Sequence, residues 1–437
     1  GDALTTGVQN VAVGAGALGS EDTTGKSVAI GYIALNAQNA GSDSYNVAVG
    51  HSAGASVNTG VQNTLIGGRA GDALTTGQAN AALGYNALGA SVDGNHNTAI
   101  GCTALEDYEG GNGEGHNTAI GSLSQSNATT GEFNTSLGTL AMGVGVTTGD
   151  HNVGIGYQNL QALTSGTKNA IVGNLAGKSL TTGSDNAALG YGALNSEDAH
   201  GKNVAIGYFA LVSQNAGADA YNVAIGHSAG LSVTTGIKNI LIGGLTGDAL
   251  TTGSGNVAIG HEALSAEDAH GRNVAIGFLT LQSQNAGAEA YNVAVGYNTG
   301  QSITTGVKST LVGGLAGDAL TTGWNNTAFG YAALSSEDAG SNNTAIGFEA
   351  LTVQDAGTDA YNVAVGHQAG RAMTTGNKSV LIGGLAGDAA TTATRDVFVG
   401  YGAGSGITTG GNNVAIGYLA LTTEDTQGTS VAVGYSA

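Results

Sequence analysis

The chain has 437 residues, with 78 Gly, no Pro, one Cys and a net charge of −20 from 31 acidic and 11 basic side chains. Gly inside a helix costs about 1 kcal/mol relative to Ala, so long helices are excluded. A 41% hydrophobic content with only 10% charged residues excludes charge-driven disorder, and the missing Pro excludes collagen.

The lone Cys102 has no internal disulfide partner, and no apolar run reaches membrane-helix length. The acidic balance repels nucleic-acid phosphates and anionic lipid, so neither nucleic acid nor a membrane is an expected partner. No basic, apolar leader stands at Gly1, so any export signal is expected to lie outside this segment or to have been removed.

The first recognisable element is Asn10-Val11-Ala12-Val13-Gly14, the first of 25 copies of an Asn-Val-Ala-Ile-Gly motif that recurs mostly every 17 residues. Within a copy such as Asn203-Val204-Ala205-Ile206-Gly207, Val204 and Ile206 alternate with a small residue. Period two marks a strand with one buried face, and the small residue between leaves room for another backbone or sheet to approach. Asn opens 20 of the 25 copies, among them Asn203, Asn222 and Asn256, which predicts a stacked amide ladder. The closing Gly, as at Gly207, Gly226 and Gly260, is expected at a corner or at positive φ.

A second segment follows each strand, either Gly-Tyr-x-Ala-Leu, as at Gly207–Leu211, or a form ending in Gly, as at Gly226–Gly230. A Thr-Thr-Gly turn then often precedes the next copy, as at residues 234–236. Residues 101–173 are the least regular stretch and hold the single 18- and 20-residue steps. From 190 to 417, three 17-residue steps and one of 19 build a 70-residue superrepeat. The chain opens and closes within a coil, and the open strand edges predict that repeats continue or that copies stack head to tail.

Strand, corner, short strand and turn within 17–19 residues predict an all-β fold: a parallel β-solenoid or β-roll of about 25 coils running as one array over 1–437. At about 4.8 Å per coil the array would extend about 120 Å. Absence of Pro fits, because each strand needs its N–H for the ladder.

The run Asn-x-Ala-Ile-Gly followed by Tyr-x-Ala-Leu resembles the YadA-type head repeats of trimeric autotransporter adhesins. It is also similar to the NTAIGYNAL-type repeats of phage and bacterial fibre proteins, which Asn343-Thr344-Ala345-Ile346-Gly347 matches closely. The resemblance covers essentially the whole chain and implies left-handed rolls, three chains side by side, and a role in attachment. Coils of 17–19 residues are longer than those of the adhesin heads, and no neck, stalk, barrel or chaperone module is recognisable. A coil offering only about four large apolar side chains points the same way on oligomerisation, since burial against sister chains would enlarge a thin core.

Three sets of side chains are candidates for chemistry. The position after the motif Gly is aromatic in 12 coils and His in four, including Tyr191, Tyr208, His227, His261, Phe278 and Tyr331. Such a stripe suits stacking at a coil corner and is a possible surface for sugar rings. These histidines lack a companion ligand at metal spacing.

Acidic pairs recur at Glu21-Asp22, Glu197-Asp198, Glu267-Asp268, Glu337-Asp338 and Glu424-Asp425, with Asp72, Asp248, Asp318 and Asp388 in another turn class. Calcium would want six to eight oxygens. Equivalent acids lie four coils apart, about 19 Å at the sheet spacing, so solvated turn charge is the favoured reading and no cofactor is expected, calcium being a weak alternative. Thr-Thr-Gly turns raise an ice-binding surface, although adjacent Thr residues point to opposite faces.

No Walker loop and no Ser/His/Asp cluster breaks the repeat, so an enzyme is not expected. The function expected is a structural extracellular fibre or adhesin shaft, on a cell surface or virion. Its partners would be itself, as a homotrimer or end to end, and a surface glycan or receptor. A glycan-binding or ice-binding solenoid surface is the alternative.

Overall fold

The computed structural model describes every residue except Thr24, residues 111–113, Glu424, Asp425 and Gln427; the acidic pair Glu424-Asp425 therefore lies outside the described residues. The described residues contain 25 three-residue strands and no helix. They fall into two compact units, 1–221 and 222–437. The first carries twelve strands, β1 (Val11–Val13) to β12 (Val204–Ile206), and the second thirteen, β13 (Val223–Ile225) to β25 (Val431–Val433). Each unit is a parallel β-solenoid.

Within each unit a strand pairs in parallel with the strand one coil on, motif position against motif position. Val11 faces Val28, Ala12 faces Ala29 and Val13 faces Ile30; Ile240, Leu241 and Ile242 face Val257, Ala258 and Ile259 in the same way. The irregular steps leave this register untouched. Thr98 faces Thr118 across the 20-residue step, Thr135 faces Val153 across the 18-residue step, and Val274 faces Val293 across a 19-residue step. Extra residues are absorbed in turns. In the 19-residue coils Gly41, Gly217, Gly287 and Gly357 sit at positive φ with nothing near their missing Cβ, the signature of a protruding corner.

The buried face of the strand is the opposite of the one that period two suggested. Ala205, Ala224 and Ala258 are fully buried, whereas Val204 and Ile206 on either side are half-buried and face outward. A three-residue strand turns only its central side chain inward, and the coil encloses so little space that Ala is the usual occupant. Leu six residues on, such as Leu211 or Leu264, fills the remainder. In six coils the strand centre is large (Leu65, Ile171, Leu241, Leu311, Leu381 and Phe398), and the residue six on is then always Gly. A Cβ on Gly247 would stand 2.9 Å from Leu241 Cδ2. In these coils one large side chain takes the place of another. Where centre and sixth residue are both small, as at Ala48 with Gly54 and Ala294 with Gly300, leucines of adjacent coils (Leu35 and Leu65, Leu281 and Leu311) close in on the glycine.

The closing Gly of every motif has φ between +126° and +147°. A Cβ on Gly260 would lie 2.1 Å from the carbonyl oxygen of Gly277 one coil on, so both dihedral and close approach require Gly there. Positive φ is not confined to Gly. The residue before the Asn and the residues two and four after the closing Gly are also left-handed, for instance Lys202, Phe209 and Leu211. Each left-handed non-Gly residue costs about 1 kcal/mol, which neighbouring coils offset by bonding every turn.

Candidate functional site: side-chain ladders and buried acidic corners

The inner ladder is built by Asn at the strand entry. Asn222 Oδ1 accepts the backbone N–H of Asn239 at 2.8 Å, Asn239 Oδ1 accepts that of Asn256 at 2.9 Å, and Asn256 Oδ1 accepts that of Asn273 at 3.0 Å. In the first unit the N–H of Asn203 donates to Asn186 Oδ1 at 3.1 Å. The amide nitrogens close the coil, as Asn222 Nδ2 donates to the Gly236 carbonyl at 2.8 Å. Contacts from one amide to the next also occur, such as Asn169 Nδ2 to Asn152 Oδ1 at 3.0 Å. The ladder is therefore side chain to backbone first and amide to amide second. Ser takes the place of Asn where it can: Ser309 Oγ accepts the N–H of Asn326 at 3.2 Å. All of these Asn side chains are buried.

The outer ring column is broken into short stacks. Tyr191 stacks on Tyr208 at 5.6 Å between centroids. In the second unit His261, Phe278 and Tyr297 form a triad at 5.7 and 5.5 Å, and Tyr331, Phe348 and His367 form another at 5.6 and 5.3 Å. Gly244, Gly314 and Gly384 interrupt the column, and His227 stands exposed on the far side of Gly244. The rings are about half exposed. A second column escaped the sequence reading. His96, His116, Phe133 and His151, each just before a motif Asn, stack with centroids 4.7, 5.0 and 5.1 Å apart and nearly parallel planes. In the same column Lys202 lies over the ring of Tyr221 and Arg272 over that of Tyr291. The signal was present as a ring or cation at the residue preceding Asn.

The glutamates of the described acidic pairs are not solvated turn charges. Glu197, Glu267 and Glu337 are fully buried, and their aspartate neighbours sit nearer the surface. The seventh residue after the closing Gly points inward at a corner, where Val233, Leu250 or Ile303 stands in other coils. In 19-residue coils the same corner holds Gln, and Gln284 Oε1 accepts Asn292 Nδ2 at 2.7 Å. Burial pushes the Glu197 carboxyl up to about 7 and also raises those of Glu267 and Glu337. Burial likewise raises the half-buried Asp248, Asp318 and Asp388.

His200 and His270, three residues after Glu197 and Glu267, were missed in the sequence. The motif Glu-Asp-Ala-His at 197–200 and 267–270 was the signal that could have found them. The first hydroxyl of many Thr-Thr-Gly turns is used between coils, as Thr234 Oγ1 donates to the Thr251 carbonyl at 3.2 Å and Thr304 Oγ1 to the Thr321 carbonyl at 3.2 Å. A surface cavity of about 380 Å³ is lined by Arg69, Asp72, Asn86 and Glu106; Arg69 pairs with Asp72 at 2.9 Å. No helix among the described residues is long and apolar enough to cross a membrane. No known protein family matches the chain, and no curated protein matches it.

Proposed function

We propose that this chain is a segment of a structural fibre or adhesin shaft, extracellular on a cell or virion surface, and that it does no catalysis. The observation that carries this reading is the invariant parallel register, in which each coil commits its interior to structure: a buried strand-centre residue, apolar filling around it and a polar rung that is Asn in 20 of the 25 copies. The repeat β-solenoid fold is compatible with such a role. Load along a unit would pass through continuous backbone ladders, which resist extension because many bonds share it.

Self-association follows from the outer strand face. Ile30, Leu83, Leu137 and Leu189 in the first unit, and Phe329, Ile346, Ile382 and Ile416 in the second, all at the third strand position, are large apolar residues at least 38% exposed, a column in each unit. An apolar column of that kind favours burial against another chain, and a side-by-side homotrimer is the arrangement proposed. The similarity to trimeric adhesin and fibre repeats supports it. Sedimentation equilibrium tests it: three chains per particle are expected, and Phe329→Lys with Ile346→Lys should shift the mass toward one chain. A single chain at all concentrations would overturn the trimer.

The ring triads favour a second reading, a glycan-binding surface, because two parallel exposed rings about 5.5 Å apart present an apolar face of sugar-ring size. Binding to a glycan array that is lost in Phe278→Ala and Phe348→Ala would select it over a plain shaft.

A further inference from the structure

The corners at Glu197 and Glu267 bring together more than an acidic pair. Carboxylate oxygens of Glu197 and Asp198 and an imidazole nitrogen of His200 all lie within 4.8 Å of one another, as do those of Glu267, Asp268 and His270. Glu197 and Glu267 are completely buried, yet Oε2 of each has no hydrogen-bond partner, and neither does Nδ1 of His200 or His270. A buried carboxylate oxygen without a donor costs several kcal/mol if charged. Such a cost, repeated at two corners and each time beside an imidazole whose Nδ1 makes no hydrogen bond, calls for a cation.

The third corner is an internal control. At Glu337 the position of the histidine is taken by Gly340, whose N–H donates to Glu337 Oε1 at 2.7 Å, while the N–H of Ala356 donates to Oε2 at 3.4 Å. There the carboxylate is satisfied by backbone alone. Where His is present, the carboxylate keeps one oxygen open.

We propose that Glu197, Asp198 and His200 form one binding site for a divalent transition-metal ion of the zinc class, and Glu267, Asp268 and His270 a second. An imidazole with two carboxylates suits zinc rather than calcium, which takes six to eight oxygens. Ligands about 2.0–2.1 Å from one tetrahedral ion stand about 3.4 Å apart. His270 Nδ1 is already 3.6 Å from Glu267 Oε1, and His200 Nδ1 3.9 Å from Glu197 Oε1. Small side-chain movements therefore complete the set, with water in the fourth position. The histidines are about 30% and 27% exposed, which gives the ion an entry path.

The test is isothermal titration of the full chain, stripped with EDTA and dialysed, with zinc chloride and separately with calcium chloride. Two zinc ions per chain are expected, one in His200→Ala or His270→Ala, none in the double variant, and two in Glu337→Gln. Calcium should give no saturable heat. Cobalt(II) added to the unsubstituted chain supplies a readout that needs no variant: visible d–d bands that zinc abolishes. Failure of the unsubstituted chain to take up zinc saturably, or a double variant that still binds two ions, would overturn the proposal.

Discussion

Asp396 occupies an Asn rung, and its Oδ1 accepts both the backbone N–H of Asn413 at 2.8 Å and Asn413 Nδ2 at 3.1 Å. Its Oδ2 has no partner. At most Asn rungs the equivalent atom is an amide nitrogen that donates to a carbonyl about 14 residues on, as Asn326 Nδ2 does to Gly340 at 2.8 Å. A protonated Asp396 has the same pattern as Asn, one acceptor and one donor, while an ionised one sets a buried charge where a donor belongs.

Burial accordingly pushes Asp396 from its ordinary value of 3.8 up to about 6. The folded state holds the proton more tightly than the unfolded state. The contribution of the rung is therefore fully present below about pH 4 and is lost as pH rises through about 6. Asp396→Asn should stabilise the second unit at pH 7.5 by about 2–3 kcal/mol, two pKa units at about 1.4 kcal/mol each, and have no effect at pH 4. Urea melts at both pH values check this; equal effects at the two would refute it.

Replacing a closing glycine should be among the most damaging single changes. Gly260→Ala must place a methyl 2.1 Å from the Gly277 carbonyl oxygen at φ +137°, a conformation that alanine avoids. A loss of at least about 3 kcal/mol is expected. Limited proteolysis should show new cleavage near residues 255–280, whereas Gly287→Ala, in open space on a protruding corner, should remain resistant.

The exchange of core volume between strand centre and corner predicts a coupled pair. Leu241→Ala alone opens a cavity and should cost about 2–5 kcal/mol. Gly247→Leu alone should clash with Leu241. Together they recreate the Ala-then-Leu arrangement of Ala258 and Leu264, and Leu264 has φ +55°, the same as Gly247. A double-mutant cycle should therefore give a favourable coupling of at least about 1 kcal/mol. Additivity would mean that the two positions do not share space.

Asn239→Ala removes the acceptor for the Asn256 N–H and the donor to the Gly253 carbonyl, bonds of 2.9 Å each. Leaving both buried groups unpaired should cost about 2–4 kcal/mol. Asn239→Ser should recover about half, because Ser309 fills the same acceptor role. Hydrogen exchange at the Asn256 amide should accelerate in the Ala variant and be intermediate in the Ser variant.

The strands, the need for Gly at each motif end and the buried Asn column were all legible in the sequence, because each is fixed by short-range spacing. The facing of Val204 and Ile206 was not. Period two says that alternate residues share a face, and only the width of the coil decides that Ala205 takes the inside. Glu197 was likewise opaque, since a charged residue in a Gly-rich turn ordinarily meets water. Its burial follows from equivalence with Leu250, an alignment by coil position rather than by neighbouring residues. The His96, His116, Phe133 and His151 stack was hidden by steps of 20, 17 and 18 residues, which look irregular along the chain yet superpose once turns absorb the difference.

That absorption also bears on how such a gene can change. Every strand offers the next the same backbone donors and acceptors in the same register, so unequal recombination that duplicates or deletes a whole repeat leaves the strand pairing at each surviving junction as it was. Length can drift by entire cassettes while a frame-preserving slip inside a strand cannot be tolerated. Variation should accumulate in repeat number and at the jutting elbows, and hardly at all along the spine.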